Sequence, residues 1–433
     1  MNKKIAIFSM HSDPLARLGS RECGGQNLYV KSLIQNLDSK GWTVDAFTRL
    51  NDKDKKTVSK VGKRSRVIRL RGGPSVHIPK GNLHSFFPEM YENFRKFLYA
   101  GNDYEIFHGH HYDGGWMALK AHEEFKKSFI TTFHSLGKTR LQTQKAYLGN
   151  TSEEDVLNER FGIEQEIIDS ASAIIELSES EKNGLIDQYG ADFEKIFVIP
   201  GGVNIKQFGN IPKEKARRLT GINEESFVVL FVGRLEWRKG VSTLIQALKL
   251  LKDQIPNLSL IVVGGKFFGR NCNEEDKKEY ERLLKMVRDN GLENEIKFTG
   301  SVSHSDLPKY YSAADVLVIP SYYEPFGLVA LEGLASKIPV IASKVGGLQI
   351  TIKDRINGLL FEPRNPLDLS KKIADICKAK DFCESLVRKG YEDILKSYSW
   401  SSIVDNVISV YESFAYKNEK QESQDENSAP VTF

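Results

Sequence analysis

Short apolar runs alternate with helix-like stretches through both halves of the chain, and this alternation constrains the fold more than any other feature. In the first half, the first apolar run is at residues 5–8 and the last is at residues 196–199. In the second half, the first run is at residues 227–232 and the last is at residues 359–361. Strands that alternate with helices are joined by crossovers and therefore lie parallel in a helix-covered sheet. Since 433 residues exceed what one hydrophobic core usually serves, the sequence predicts two α/β domains.

One strand–loop–helix unit in the second half carries two spaced carboxylates. Residues 316–319 predict a buried strand that ends at Pro320, and the apolar spacing after Gly327 predicts a short helix. Glu324 then lies in the loop and Glu332 about two turns into the helix. A rise of about 1.5 Å per residue would put the carboxylates roughly 10–12 Å apart along one side.

Backbone amides between these carboxylates predict an anion site. The amides of Phe326, Gly327 and Leu328 lie at the helix N-terminus, where they lack intrahelical acceptors and attract phosphate. The order carboxylate, amides, carboxylate matches the parts of a nucleoside diphosphate sugar. One carboxylate would accept hydrogen bonds from the sugar hydroxyls, the amides would bind the phosphates, and the other carboxylate would accept from the ribose hydroxyls. The alternative for two glutamates eight residues apart is an ordinary solvated helix face.

The run from Glu324 to Glu332 resembles the signature of the retaining glycosyltransferases of family 4, which commonly reads E-x-F-G-L-x-x-x-E. The resemblance covers nearly the whole chain before its polar C-terminal tail. It implies the GT-B fold, with two Rossmann-like parallel-sheet domains facing a central cleft. It also implies that Glu324 binds the donor sugar and Glu332 the ribose.

Arg234 and Lys239 follow the first strand of the second half, in the run Gly233-Arg234-Leu235-Glu236-Trp237-Arg238-Lys239-Gly240. An arginine fork and a lysine point charge suit a diphosphate at the carboxyl edge of a sheet, and surface ion pairs are the alternative. The run resembles the G-R-L-x-x-x-K-G motif of the family, which implies that Arg234 and Lys239 bind the donor diphosphate.

Two features of the first half also lie at strand ends. Gly24 and Gly25 precede a helix, which suits either a tight turn or close approach to a phosphate. His134 follows the strand at 130–133, at the edge where open α/β sheets place their sites; a structural histidine is the alternative. The family resemblance implies that the glycines contact the donor and that His134 lines the reaction centre.

Within the family, the chain resembles the sucrose-phosphate synthases and the inositol-phosphate N-acetylglucosaminyltransferases of mycothiol synthesis. The runs Gly24-Gly25-Gln26 and His134-Ser135-Leu136-Gly137 are nearer the former, and Arg160-x-x-x-Glu164-Gln165 is nearer the latter. Both groups use a phosphorylated small acceptor. The positions that match their acceptor residues are Gln26, Asn27, Lys80, Tyr112, Ser135 and Arg160; solvation of the surface is the alternative role for the two cations.

The resemblance thus predicts a retaining hexosyltransferase of the EC 2.4.1 type that uses UDP-glucose or a related UDP-sugar. Its catalytic residues would be His134, Arg234, Lys239 and Glu324. Two alternatives stay open: transfer to a lipid-linked or polysaccharide acceptor at a membrane surface, and an inactive sugar-nucleotide-binding protein. An oxidoreductase is disfavoured because the chain has no G-x-G-x-x-G.

No cofactor or metal is predicted. The D-x-D at residues 52–54 follows no buried strand. His108, His110 and His111 lack a carboxylate or cysteine at suitable spacing, and one strand end is not expected to direct all three inward.

Composition and patterning limit the partners and the compartment. A net charge of +4 gives little support to nucleic-acid binding. Four cysteines without metal spacing and a short first apolar run predict a cytoplasmic protein with reduced thiols. Stable membrane insertion is not expected, since no apolar run approaches about 20 residues, and peripheral contact stays open. We expect domains at 1–203 plus 400–416 and at 204–399, followed by a disordered tail at 417–433.

Because Arg234 and Lys239 would do the work of a metal, we expect transfer to continue in the presence of a chelator. Initial rates measured with and without EDTA test this expectation. Loss of activity on chelation that magnesium or manganese restores would contradict it. Arg234→Ala should lower turnover by about two to four orders of magnitude, as the loss of a charge stabiliser does elsewhere.

Overall fold

The structure is a computed structural model that describes residues 3–16, 24–148, 154–265 and 274–428. Contacts divide these residues into two units. The first comprises residues up to Ala16, Gln26–Pro200 and those from Ser401 onward, and the second comprises Gly201–Trp400 with Gly24 and Gly25. The units have separate sheets and separate cores, and the fold is the GT-B type that the sequence predicts.

The first unit contains an eight-stranded sheet. Its strands are β1 (Lys4–Phe8), β2 (Thr43–Arg49), β3 (Val58–Lys60), β4 (Arg66–Leu70), β5 (Ile106–His110), β6 (Ser128–Thr132), β7 (Ala173–Glu176) and β8 (Ile196–Val198). The order across the sheet is β3-β4-β2-β1-β5-β6-β7-β8, and every pair is parallel except β3–β4. The antiparallel edge strand β3 is short and partly exposed, so no apolar run marks it in the sequence.

Helices cover this first sheet. They are α1 (Gly25–Ser39), α2 (Phe87–Tyr99), α3 (His111–Phe125), α4 (Gly137–Leu148), α5 (Glu154–Ser170) and α6 (Glu179–Tyr189), with 3-10 turns at Lys80–Asn82, His84–Phe86 and Phe193–Lys195. Helix α5 begins at Glu154, and Arg160 lies within it. Helix α1 packs on the sheet through an apolar stripe that includes Val30, Leu33 and Leu37, which have no exposed surface.

The second unit has a six-stranded parallel sheet. Its strands are β9 (Phe227–Val232), β10 (Leu258–Val263), β11 (Ile296–Gly300), β12 (Val316–Ile319), β13 (Val340–Ser343) and β14 (Leu359–Phe361). The order is β11-β10-β9-β12-β13-β14, that of a dinucleotide-binding α/β fold. The helices are α7 (Lys213–Thr220), α8 (Val241–Leu251), α9 (Glu274–Asp289), α10 (Leu307–Ala313), α11 (Leu328–Ala335), α12 (Leu348–Thr351), α13 (Pro366–Lys378) and α14 (Lys380–Ser397), with a 3-10 turn at Trp237–Lys239.

The last helix, α15 (Trp400–Ser428), returns to the first unit. The Tyr411 hydroxyl lies 2.6 Å from His108 Nδ1 in β5, and Ser128 Oγ donates to the Phe414 carbonyl at 3.2 Å. On the surface, Lys40 pairs with Asp405 at 2.5 Å. These contacts join the C-terminal helix to the sheet of a unit that begins some 400 residues earlier in the chain.

The predicted disorder from residue 417 differs from the structure, in which α15 continues to Ser428. The polar segment is rich in Glu, Gln and Lys, which favour helix even without an apolar face. Residues 429–433 of the predicted tail lie outside the described residues. Among the described residues, no helix combines the length and the apolar character needed to span a bilayer.

Candidate active site

Each sheet has one point at which the strand order reverses, and the predicted site residues gather at the carboxyl ends of the strands there. In the second unit this point lies between β9 and β12. Arg234 follows β9, and Glu324 lies in the loop after β12. Helices that leave two such strands diverge to opposite faces, and the crevice between them is where α/β sheets bind ligands.

Two glycines let the loops of the second unit approach each other. Gly240 adopts φ 68°, and a Cβ there would lie 1.8 Å from the Pro320 carbonyl oxygen. Gly327 adopts φ 92° at the start of α11, and a Cβ there would lie 2.6 Å from Leu348 Cδ2. Any other residue at either position would add strain and a clash, so these motif glycines hold the cation loop beside the loop that carries Glu324.

The cations of the second unit are held in ion pairs. Lys239 Nζ lies 2.5 Å from Glu324 Oε2, and Arg234 lies 2.8 Å from Glu236 Oε1. Arg238 shares Glu236 through its other oxygen. The structure therefore shows the ion pairs considered as the alternative for Arg234 and Lys239, and it places both side chains at the β9–β12 edge expected for diphosphate ligands.

The amides of Phe326, Gly327 and Leu328 lie at the N-terminus of α11, as predicted. Within the described part of the chain, no acceptor takes a hydrogen bond from these three N–H groups. They are oriented by the αL conformation of Gly327 and by Gly347, whose N–H donates to the Glu324 carbonyl at 3.1 Å. Three adjacent free donors at a helix N-terminus suit a phosphate.

Glu332 is the fifth residue of α11, little more than one turn into the helix, so the prediction of about two turns was wrong. Its carboxylate is 6% exposed and accepts hydrogen bonds from the Tyr311 hydroxyl at 2.6 Å and His304 Nε2 at 3.3 Å. Gln207 Nε2 lies 2.9 Å from His304 Nδ1. His304 and Tyr311 were not predicted from the sequence, because neither lies in a motif.

In the first unit, His134 lies just after β6 in the left-handed region at φ 59°. Its Nε2 lies 2.9 Å from His110 Nδ1, and the Tyr29 ring packs edge-on against it at 5.1 Å between centroids. Burial lowers the pKa of His134 to about 3. Its imidazole is therefore neutral at physiological pH, and a single proton is shared in the contact with His110.

All three histidines of the His108–His111 run are buried, but they do not share one strand: His108 and His110 belong to β5, and His111 begins α3. β5 extends through His110, which places His108 and His110 on one face with ring centroids 4.2 Å apart. His111 begins α3 at φ 65° and turns to another partner. The change from strand to helix between His110 and His111 supplies the direction that a strand alone could not.

His11, His111 and Asp113 form the group most suited to a cation among the described residues. Asp113 Oδ2 accepts from His11 Nδ1 at 2.7 Å and from the His11 amide at 2.8 Å, while Oδ1 lies 3.3 Å from His111 Nδ1. Asp113, two residues after His111, is a carboxylate that the motif spacing did not predict as a partner of these histidines. In the structure this carboxylate orients both imidazoles.

Arg160 brings three of the predicted acceptor residues together. Its Nε donates to Glu164 at 2.7 Å, its Nη2 donates to the Ser135 carbonyl, and its guanidinium lies 5.2 Å from the Tyr112 ring centroid. Glu164 also accepts from the Gly137 amide at 3.1 Å. The Arg160–Glu164 pair thus fixes the loop that follows His134.

The remaining predicted residues lie nearer the chain start. Asn27 Nδ2 donates to the Asp13 carbonyl at 2.8 Å, and Gln26 Nε2 lies 3.3 Å from Ser9 Oγ. Gly25 begins α1 directly after Gly24. The Lys80 side chain lies outside the described residues, so the structure does not join it to Arg160.

Comparisons with known proteins agree with this geometry. A family model described as glycosyltransferase family 4 matches residues 23–207, and one described as glycosyl transferases group 1 matches residues 212–393. The D-inositol 3-phosphate glycosyltransferase of Pseudarthrobacter chlorophenolicus is 32% identical over 371 residues, which cover 84% of this chain and 85% of that protein. The chain belongs to the family 4 glycosyltransferases.

Two further relatives extend this result. The mannosylfructose-phosphate synthase of Agrobacterium fabrum is 31% identical over 419 residues, 94% of this chain and 91% of that protein. A solved sucrose-phosphate synthase from Thermosynechococcus elongatus superimposes with a TM-score of 0.85 at 33% identity, covering 95% of this chain and 98% of that one. This glycosyltransferase therefore matches its relatives over both units, and it is an enzyme that transfers a sugar.

The buried histidines predict how stability depends on pH. The pKa values of His108, His110, His111 and His134 all lie below the ordinary 6.5, chiefly because burial disfavours the imidazolium. The unfolded chain therefore binds more protons below about pH 6.5, and the free energy of unfolding should fall as pH falls from there towards 4.5. Buried Glu176 has the opposite effect: burial raises its pKa, so the folded state binds this one proton more tightly than the unfolded state and gains stability as pH falls.

Urea unfolding at several pH values between 7 and 5 measures the slope. Each histidine can contribute up to about 1.4 kcal/mol per pH unit. His134→Asn, which cannot titrate, should flatten the profile relative to the wild type. An unchanged or steeper profile in this variant would contradict a neutral, buried His134.

Proposed function

We propose that the enzyme transfers a hexosyl unit from a nucleoside diphosphate sugar, UDP-glucose or a related UDP-sugar, to a hydroxyl of a phosphorylated small molecule. One observation carries the acceptor class. The three relatives described above are similar over nearly their whole length, and each is named for a phosphorylated acceptor or product: inositol 3-phosphate, mannosylfructose phosphate and sucrose phosphate.

The second unit would bind the donor. The free amides of Phe326–Leu328 would meet phosphate oxygens, and Arg234 and Lys239 would exchange their carboxylate partners for the diphosphate. Glu332 would accept from ribose hydroxyls with the oxygen lone pairs that Tyr311 and His304 leave free. Glu324, once released by Lys239, would accept from hydroxyls of the donor sugar.

We propose that configuration is retained, as the family resemblance implies. Double displacement would need a carboxylate free to attack the anomeric carbon, whereas Glu332 is held by Tyr311 and Glu324 is assigned here to the hydroxyls of the donor sugar. We therefore propose front-face attack, in which the leaving phosphate takes the acceptor proton. Arg234, Lys239 and the helix amides would stabilise the charge that develops on the diphosphate, with no metal required.

The first unit would bind the acceptor. His134 is a neutral imidazole, so it would act there through hydrogen bonds and not as a cation. The Arg160 guanidinium is already committed to Glu164 and to the Ser135 carbonyl. Its removal would leave Glu164 buried and unpaired, at a cost of about 3–5 kcal/mol. Lys80, also a predicted phosphate ligand, is therefore the better position for a test.

Donor binding should separate the two glutamates. Glu332→Gln removes a charged acceptor for ribose hydroxyls at nearly constant volume, so the Kd of free UDP should rise about tenfold or more, since such hydrogen bonds contribute about 1.5–3 kcal/mol. Glu324→Gln should leave UDP binding nearly unchanged and weaken UDP-glucose binding and transfer. Calorimetry with both ligands measures this, with exposed Glu293→Gln as the control. Equal effects of the two substitutions on free UDP would contradict the assignment.

Acceptor preference tests the proposed substrate class. Steady-state kinetics should show strong preference of the wild type for inositol 3-phosphate or a hexose 6-phosphate over the same compound without phosphate. Lys80→Met should raise the acceptor KM roughly tenfold or more by removing a charged hydrogen bond, with little change in the donor KM. Exposed Lys96→Met is the matched control. Equal use of both acceptor forms by the wild type would overturn the proposal and favour a lipid-linked or polysaccharide acceptor.

A further inference from the structure

A second polar cavity lies in the second unit, and none of the residues around it belongs to the donor set. It has a volume of about 230 Å³ and is lined by residues from the end of α12, the turn that follows it and the C-terminal part of α14. The lining residues are Thr351, Lys353, Asn357, Lys389, Asp393, Lys396, Ser397 and Tyr398.

The cavity has a fixed frame. Asn357 is 2% exposed; its Oδ1 accepts from the Lys353 amide at 2.7 Å, and its Nδ2 donates to the Thr351 carbonyl at 3.1 Å. The same Nδ2 lies 3.0 Å from Asp393 Oδ2 on α14. One buried amide therefore ties the turn to the helix, so the walls of the cavity are held by internal hydrogen bonds.

Positive charge is in excess around this frame. Lys389 pairs with Asp393 at 3.1 Å and lies 3.7 Å from Glu392, so both of these carboxylates already have Lys389 as their cationic partner. Among the described residues, neither the Lys353 nor the Lys396 ammonium has a carboxylate partner. Two ammonium groups are therefore available to a ligand.

Hydroxyl groups add neutral donors. Thr351 is 2% exposed, and its buried Oγ1 makes no hydrogen bond of good geometry. It lies close to the Tyr398 hydroxyl. Burial raises the pKa of Tyr398, and the contact with Thr351 partly opposes this rise. Ser397 lines the same cavity.

We propose that this cavity is a second, non-catalytic binding site for a small phosphomonoester. Lys353 and Lys396 would neutralise the phosphate dianion, and the hydroxyls of Thr351, Ser397 and Tyr398 would donate to its oxygens. The volume is nearly eight times the roughly 30 Å³ share of a water molecule, so it holds an organic body beside the phosphate. The ligand would contact Ser397 and Tyr398, just before the chain leaves the second unit after Trp400.

Lysine footprinting on the full chain tests this site. The method reports the reactivity of each lysine separately, so a phosphate compound bound elsewhere on the protein does not affect the result at Lys353 and Lys396. The rates at which an N-hydroxysuccinimide ester acetylates Lys353, Lys396 and exposed Lys371 are measured by mass spectrometry. Glucose 6-phosphate is titrated at constant ionic strength. At about ten times Kd, the free fraction falls to about one tenth, so Lys353 and Lys396 should react roughly tenfold more slowly while Lys371 is unchanged.

Variants and probes make the result decisive. Lys353→Met should abolish the protection of Lys396, Thr351→Val should weaken it, and Lys371→Met should leave it intact. Inorganic phosphate should protect less well than glucose 6-phosphate, and equal protection would contradict the monoester assignment. Parallel slowing of all three lysines, or no slowing, would overturn the site. Because the readout involves no transfer, it is independent of the proposed reaction.

Discussion

Parallel strand pairing is the constraint on which the rest of the structure depends. Each strand must return by a crossover, so all carboxyl ends of a parallel sheet lie along one edge. Where the strand order reverses, at β1–β5 and at β9–β12, neighbouring crossovers leave to opposite faces and the loop backbone stays accessible. Residues distant in sequence, such as His11 and Asp113 or Lys239 and Glu324, therefore meet at those points.

Buried carboxylates hold these edges together by accepting several hydrogen bonds each. Asp113 orients two histidines, Glu164 joins Arg160 to the Gly137 amide, and Glu332 joins Tyr311 to His304. For Asp113 the contacts with His11 and His111 outweigh burial and hold the pKa well below its usual range. Glu176 shows the opposite case: its oxygens have no partner of good geometry, and burial raises the pKa of this acid well above its usual range by disfavouring the anion.

The sequence predicted those features that have a period or a motif. The apolar runs at 227–232, 316–319 and 359–361 match β9, β12 and β14, because each run ends at a glycine, a proline or a polar loop. β3 was missed because a short edge strand need not be apolar, and its residues are partly or wholly exposed. The segment after Lys417 was predicted as disordered because it has no apolar face, although Glu, Gln and Lys favour helix by propensity alone.

Contacts within the site were harder to predict because they depend on tertiary neighbours. Glu332 was placed correctly on its helix, but nothing in the sequence indicated that Tyr311 of α10 would bind it. The side-chain directions of His108, His110 and His111 were predicted from strand geometry alone, whereas the chain changes from β5 to α3 between His110 and His111. A change of secondary structure within a motif alters the direction of its side chains, and local spacing does not reveal it.

The cations differ in how readily they can change partners, and this difference separates binding from positioning. The Lys239–Glu324 pair keeps about 15% of each side chain exposed, so water can replace part of what either group loses when the pair separates. Arg160 and Glu164 have almost no exposed surface, and separating them would leave a buried charge unpaired. The Lys239–Glu324 pair is therefore the more readily broken of the two. Arg160 stays with Glu164 and holds the Ser135 carbonyl and the Tyr112 ring in place.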